Sequence, residues 1–410
     1  MNRMPGRAKR ATGRSDHGPH AAVCIVGSGT RFLSGISVYT IRLANALAAS
    51  RPVSVVTMRQ LLPTRLYPGQ ARVGASLVDI EQDPRVAVLD GVDWYWIPSI
   101  FRAVAFLTRR RPAVMVMQWW TGTVLHTYLV LALVARLLGA RVIIEFHEIL
   151  DTGEARIPPA RAYVGVLAPL LFRLAAAYTV HSEFDRSLLR GRYRMGRRPV
   201  IVIPHGPHDH YQSKVAEPLP AFREAPDDAC NLLFFGVIRP YKGLEDLVSA
   251  FDAIPPDEIG RYWLTVVGET WEGWVLPTTL IEQSRHRERI TFVNRYVHDR
   301  ELDAILRGSD AVVLPYLRSS LSGPLHVAMG YGLPIVISNI GGNPEAAEGY
   351  GGIILTEPAQ PAALRDALAQ VARMRGQRFR HPTDWAQTTR AYEDLFERLG
   401  LPESRSGGDQ

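Results

Sequence analysis

Short apolar runs alternate with longer stretches of helical periodicity along nearly the whole chain, the pattern made by parallel strands buried on both faces and joined by helices. In the first half the runs at 21–26, 53–57, 113–117, 142–146, 178–180 and 200–203 predict strands, and 36–49, 99–111, 123–139 and 160–176 predict helices. The second half repeats the scheme, with strands at 231–235, 263–267, 290–293, 311–314, 335–338 and 353–354. Its helices are expected at 244–251, 299–307, from Gly323 onward, 361–374 and 383–399. Residues 59–98, which hold Trp94, Tyr95 and Trp96, read as irregular. Two such blocks predict an α/β protein with two doubly wound domains facing each other across a cleft.

The break between the blocks is PHGPHDHY, Pro204 to Tyr211, followed by a Pro-, Glu- and Ala-rich stretch at 213–228. It reads as a hinge and linker. The organisation expected is a first domain at 21–205, a linker at 206–229 and a second domain at 230–382. The last helix, 383–399, carries Trp385, Tyr392, Leu395 and Phe396 at helical spacing, an apolar face that needs either a core or a partner. Residues 400–410 read as a loose polar tail.

Composition refines this picture. A chain of 410 residues with 47% hydrophobic residues can fill two cores. Of the net charge of +7, residues 1–20 supply +4, from Arg3, Arg7, Lys9, Arg10 and Arg14 against Asp16. The body is nearly balanced, so no nucleic-acid partner is expected. That basic N-terminal stretch lacks the apolar segment of a secretory signal and reads as a disordered tail. Two cysteines, Cys24 and Cys230, make neither a disulfide framework nor a zinc site, and reduced cytosol is the simplest compartment. The longest apolar run, 123–139, contains His126 and Arg136 and falls short of the roughly 20 residues a spanning helix needs. It reads as a core helix. The helix at 99–111, SIFRAVAFLTRRR, is amphipathic and basic, which suits the surface of an anionic membrane or an ordinary solvated face.

The candidate chemistry gathers at the ends of strands. The stretch AVVLPYLRSSLSGPLHVAMGYGLPIVISNIGGNPE, Ala311 to Glu345, reads strand, Ser-rich loop, helix, strand. Ser322 can cap the helix, Pro324 suits its first turn, and Gly332 with Pro334 ends it. Backbone N–H groups at such a helix start favour an anion. The loop Gly236 to Gly243 sets Arg239 and Lys242 between a strand and a helix, a place for a diphosphate or simply an exposed basic turn. The glycine-rich turn after the first strand, Gly27 to Gly35, is not a dinucleotide fingerprint: Phe32 stands where the third glycine belongs, and the next strand ends without an acidic residue. By itself it reads as a surface loop with a helix-starting glycine. His147 closes the strand 142–146, where ligands bind in open α/β sheets; a satisfied core histidine is the other reading. Asp151 occupies the second histidine position of a metalloprotease HExxH, which excludes that motif. Glu148, Asp151 and Glu154 suit either acceptor hydroxyls or a solvated loop, and Gln118 to Thr121 reads as a cleft wall. Histidines 205, 208 and 210 lack a cysteine or ordered carboxylate to complete a tetrahedral set, and no metal is expected there.

The stretch Ala311 to Glu345 also resembles the donor-binding segment of family-4 glycosyltransferases of the GT-B fold, in the branch reading SxxSGxLxxAMxxGxPVVxSxxGGxPE. The matching positions are Ser319, Ser322, Gly323, Leu325, Ala328, Met329, Gly332, Pro334, Ser338, Gly341, Gly342, Pro344 and Glu345, and the agreement in order extends over about residues 21–400. The resemblance implies a retaining hexosyltransferase, and because no D-x-D motif occurs in the chain no divalent metal is expected. It places a UDP- or GDP-linked sugar on the second domain as co-substrate, with no other cofactor. The donor would be held by Gly35, Gly236, Tyr296, Val297, Ser319, Ser322, Gly323, Pro324, Leu325 and Glu345, the nucleobase partly through backbone near Tyr296 and Val297. Lys242 and Arg239 would meet the diphosphate, and His147 would sit beside the donor sugar and the incoming hydroxyl. The family's arginine usually follows the glycine directly, where Val237 stands, so Arg239 is offset. Many members carry two glutamates eight positions apart, for the sugar and the ribose; Ser319 and Val327 stand there. The resemblance also implies that the last helix crosses back onto the first domain.

The expected function is therefore transfer of a sugar to a saccharide or lipid-linked saccharide in cell-surface polysaccharide or glycolipid synthesis, in the cytoplasm or at the inner face of the membrane. A non-catalytic nucleotide-sugar-binding protein and a sugar-nucleotide epimerase of the same fold are the alternatives. An oxidoreductase is disfavoured by Phe32, and a phosphorylase by the scarcity of lysine for pyridoxal phosphate.

Overall fold

The computed structural model describes residues 22–29, 35–60, 80–93, 96–149, 158–208, 223–270, 274–320 and 322–401. Its first half comprises β1 (Val23–Ser28), α1 (Gly35–Leu47), β2 (Val53–Gln60), β3 (Ala87–Asp93), α2 (Ile97–Arg110), β4 (Val114–Trp119) and α3 (Leu125–Leu137). It continues with β5 (Arg141–Phe146), α4 (Pro158–Leu174), β6 (Ala175–Val180), α5 (Glu183–Arg192) and β7 (Val200–Val202). The second half holds β8 (Cys230–Phe235), α6 (Leu244–Asp252), β9 (Tyr262–Val267), α7 (Leu276–Gln283), β10 (Ile290–Val293), α8 (Asp299–Arg307) and β11 (Ala311–Leu314). It ends with α9 (Gly323–Gly330), β12 (Ile335–Ser338), α10 (Asn343–Ala346), β13 (Ile353–Thr356), α11 (Pro361–Ala372) and α12 (Trp385–Arg398).

The strands form two sheets, a seven-stranded one ordered β3-β2-β1-β4-β5-β6-β7 and a six-stranded one ordered β10-β9-β8-β11-β12-β13. Every described pairing is parallel. Strand order reverses beside β1 and again beside β8, which opens a crevice past the carboxyl ends of those strands. This is the GT-B architecture expected from the sequence.

Alternation along each strand divides its side chains between two faces. On β5, Val142, Ile144 and Phe146 join the core shared with α3 and α4, while Ile143 joins the core under α1 and α12. Glu145 and His147 follow Ile143 at the same period and so lie on that second face. The helix α12 brings Tyr392, Leu395 and Phe396 to it. Its Glu393 pairs with Arg51 and accepts from Ser50 at 2.9 Å, so the chain's last helix is packed on the first sheet.

Several elements differ from the sequence reading. β3 lies inside the stretch read as irregular: it is an edge strand whose first residues alternate between partly buried and exposed, so it carries no apolar run. α5 and α7 were not anticipated, α5 because it is strongly polar and offers few apolar residues to read. Helix α4 stops at Leu174 and β6 begins at Ala175, earlier than expected, because Ala175–Ala177 fits either state. Trp119 and Trp120, read as a cleft wall, are core: Trp119 packs on Phe146, Phe172 and Tyr193. Asp151, Glu154, His210, Trp94 and Tyr95 lie outside the described residues. Among those described, no helix is long and apolar enough to cross a membrane.

Candidate active site

The carboxyl ends of β8 and β11 bring together a cationic cradle. β8 is followed directly by Gly236, whose φ of 102° only glycine adopts readily. A Cβ there would stand 3.3 Å from the Lys242 Nζ and 3.6 Å from Pro324, so the bare backbone is what admits both. Lys242 closes the short 3-10 turn Pro240–Lys242. Its ammonium lies 3.4 Å from the Tyr316 hydroxyl and 5.1 Å from the centre of that ring. Burial first, and the Arg239 guanidinium second, depress its pKa to about 8. Ser322 caps α9 by accepting from Leu325 N–H at 3.1 Å and also approaches the Tyr316 hydroxyl at 3.4 Å. Gly236, Lys242, Ser322 and Pro324 thus share one place, with Gly323 opening the helix. Tyr316, the floor under the ammonium, was not singled out in the sequence; its only signal was its place directly after Pro315 at the end of a buried strand.

Gly243 fixes this loop. Its φ is 68°, and a Cβ would stand 1.9 Å from the Pro315 carbonyl oxygen. Gly243→Ala is expected to destabilise the fold by about 2 kcal/mol or more, since strained backbone and a displaced neighbour add. Urea unfolding measures it; a variant as stable as the natural chain would show that the loop is not clamped at this point.

The first sheet contributes a buried polar cluster. Glu145 accepts from Tyr39 at 2.8 Å, from Gln118 at 3.2 Å, and from Tyr392. Burial alone would raise its pKa, but the charges of His147 and His181 and the hydrogen bond from Tyr392 outweigh it and leave it near 2. The edge of the Tyr39 ring meets His147, and His147 and His181 lie 4.8 Å apart, centre to centre. The series continues through His205, 5.0 Å from His181, to His326 on α9, whose ring stacks on His205 at 4.7 Å. His147 therefore belongs to a row of rings running from the first sheet to α9. Glu145 was not singled out in the sequence, its signal being that it is the one acidic residue inside an apolar strand; His181, His205 and His326 carried no local sign of being gathered.

Further contacts join the halves. Glu345, expected at the donor, has its carboxylate occupied by the N–H groups of Glu183 at 2.5 Å and Phe184 at 2.7 Å, the first turn of α5. It caps that helix from across the cleft. The Ser320 hydroxyl donates to Glu148 at 3.4 Å, and the glycines Gly341 and Gly342 pass so close to Ser319 and Ser320 that a Cβ would meet their carbonyl oxygens at 1.8 and 2.5 Å. Ser319 is buried beside them, its hydroxyl without a hydrogen-bond partner. Val297 has its side chain in the core of the second domain, which leaves its backbone as the part able to meet a base; Tyr296 turns its ring edge-on to His298 at 6.1 Å. Val327 is core as well. Gly35 is the first residue of α1, and the loop at 30–34 before it lies outside the described residues.

A cation and a capped helix start at the switch point of one doubly wound domain, facing a second such domain, define a protein that handles a phosphorylated ligand in its cleft. Residues 34–206 match the family model described as "Glycosyl transferase 4-like domain", and residues 229–374 the one described as "Glycosyl transferases group 1". The chain belongs to the GT-B glycosyltransferases of the family-4 type. It is 28% identical over 202 residues to the GDP-mannose:glycolipid 4-beta-D-mannosyltransferase of Xanthomonas campestris pv. campestris, over 46% of this chain and 55% of the relative. The chain spans about half the length of the curated mannosyltransferases it matches. A longer match, 24% identity over 351 residues, covers 79% of this chain and 88% of the 2-deoxystreptamine glucosyltransferase of Streptomyces kanamyceticus. The crystal structure of Anabaena HepE in complex with UDP and glucose superposes with a TM-score of 0.60 at 16% identity, covering 93% of this chain and 100% of that one.

Proposed function

We propose that the chain transfers a hexose, with retention of anomeric configuration, from a UDP- or GDP-linked sugar to a saccharide or lipid-linked saccharide. The observation that carries this reading is the Lys242 ammonium, buried beside Gly236 and the first turn of α9. As the glycosidic bond breaks, negative charge grows on the leaving diphosphate. A fixed cation and helix N–H groups lower that barrier without reorganising, and need no divalent ion to do so. Arg239 adds to the same field. The acceptor hydroxyl attacks from the leaving group's side and hands its proton to the departing phosphate oxygen, so that no pair of carboxylates on opposite faces is required. The reading takes no further cofactor.

A lipid-linked acceptor is favoured by α2, at whose start Trp96, Ile97 and Phe101 are 56, 65 and 68% exposed and which also carries Arg102, with Arg109 and Arg110 in its last turn. That surface suits the anionic inner face of a membrane and a cytoplasmic enzyme. The glycolipid named in the Xanthomonas relative's title points the same way.

A thermal-shift series with UDP, GDP, ADP and TDP and their sugars tests the donor assignment. One base is expected to stabilise the protein by about 2.7 kcal/mol at a hundredfold over its dissociation constant. A protein that no nucleotide stabilises does not bind such a donor, and one that binds the donor but neither hydrolyses nor transfers it is a binding protein.

A further inference from the structure

Glu145 is the one acidic residue of β5, and its surroundings pose a question of hydrogen-bond balance. Its oxygens accept from Tyr39, Tyr392 and Gln118. Two more groups face it: His147 Nε2, 3.4 Å from Oε2, and His181 Nε2, 3.7 Å from Oε1. Both distances exceed the roughly 2.7–3.2 Å of an N–H···O hydrogen bond, and neither nitrogen has a hydrogen-bond partner. His181 Nδ1 lies 3.1 Å from the Ile203 carbonyl oxygen, which can only accept. The proton of a neutral His181 is therefore on Nδ1, and the Nε2 lone pair is aimed at a carboxylate, two acceptors face to face. The three side chains are 0, 3 and 1% exposed, so water does not relieve the conflict from bulk.

A cation held between them resolves it. Ligand atoms about 2.0–2.1 Å from a tetrahedral zinc stand about 3.3 Å from one another, comparable with the separation of each imidazole nitrogen from its nearer carboxylate oxygen, Oε2 for His147 and Oε1 for His181. All three ligand atoms lie within 4.8 Å of one another. The backbone supplies the arrangement. Glu145 pairs with Thr179 across β5 and β6, and one period further His147 and His181 project from the same face, their rings 4.8 Å apart. The supporting contacts are those of a metal centre: Nδ1–H of one ligand on a carbonyl, and the carboxylate oriented by two tyrosines and an amide.

We propose that Glu145, His147 and His181 bind one divalent transition-metal ion, zinc being the best match, at a site separate from the Lys242 cradle. Two imidazoles and a carboxylate are a zinc donor set, with one position left for a fourth ligand. The ion ties the ends of β5 and β6 to α1 through Tyr39 and to α12 through Tyr392, and it fixes the ring of His147. This site stands independently of the sugar-transfer reading.

The test uses the whole chain freed of any purification tag and dialysed against zinc. Elemental analysis is expected to give one zinc per chain, and zinc is expected to raise the melting temperature. Crystals measured on both sides of the zinc absorption edge should show an anomalous peak between the three side chains. His181→Gln and Glu145→Gln should lose the bound zinc, while His286→Gln, far along the chain in the second domain, should keep it. The diffraction measurement needs no variant, so a substitution that fails to fold leaves the test intact. Zinc-soaked crystals of the natural chain without a peak at this position would overturn the proposal. So would full zinc retention by a folded His181→Gln variant.

Discussion

Lys242→Ala is expected to lower the rate of sugar transfer by about a hundredfold or more, the scale of losing one strong contact to charge that develops in the transition state. The expectation rests on place as well as charge. The ammonium is buried against Tyr316, and Gly236 leaves room for it beside Pro324. A cation held in so little water acts at far lower effective dielectric than one on the surface. The pH dependence supplies a second readout. Because the free ammonium loses its proton near pH 8, nucleoside diphosphate affinity is expected to weaken as pH rises through that value in the natural chain. In the alanine variant the same span should be flat. Turnover and pH profile on purified donor and acceptor measure both. A near-normal rate for the variant would remove Lys242 from the mechanism, and an unchanged pH profile would remove it from diphosphate binding.

Acidification is expected to destabilise the fold steeply below about pH 6.5, where histidines of the unfolded chain take up protons. His205, His208 and His326 resist in the folded chain. Burial holds His208 near 4, with His381 and Arg42 adding to the effect, and it holds His205 and His326 well below the usual value, where neighbouring imidazoles add to it. Across that interval the unfolded chain binds more protons than the folded one, so stability rises with pH and is lost as pH falls. Each such depression removes stability as pH falls, and His208, at about 4 against an unfolded value near 6.5, marks the span over which its share is lost. Asp185 works in the other direction. Burial raises its pKa to about 6, so it gains a proton more readily when folded and offsets part of the loss between that value and its unfolded 3.8. Urea unfolding at pH 7.5 and at pH 5 is the measurement. Equal stability at the two values would mean that these rings are not held neutral inside the fold.

Much of the architecture was readable because it depends on near neighbours in the chain. The bounds of β10, α8, β11 and β12 agree with the apolar runs and periodic stretches that predict them, since a strand buried on both faces and an amphipathic helix each leave a local signature. β3, α5 and α7 were not read: an edge strand alternates weakly, α5 is strongly polar, and α7 is only eight residues long. In the cradle, Ser322 as cap, Gly323 and Pro324 at the helix start and Lys242 in the preceding loop were legible from residue type and spacing. Tyr316 under the ammonium was not, because its role depends on a loop from elsewhere folding onto it.

The sequence by itself determined two parallel α/β domains, the strand ends at which chemistry gathers, and the cation and capped helix that suit a diphosphate, because strand, turn and cap are chosen within a few residues. Only the tertiary structure decided that Glu345 reaches α5 across the cleft, that α12 returns to cover Glu145, and that histidines from β5, β6, the hinge and α9 come to lie ring against ring. Those contacts join positions far apart in the chain, and their energies depend on how two separately folded halves are placed. No local pattern encodes that placement.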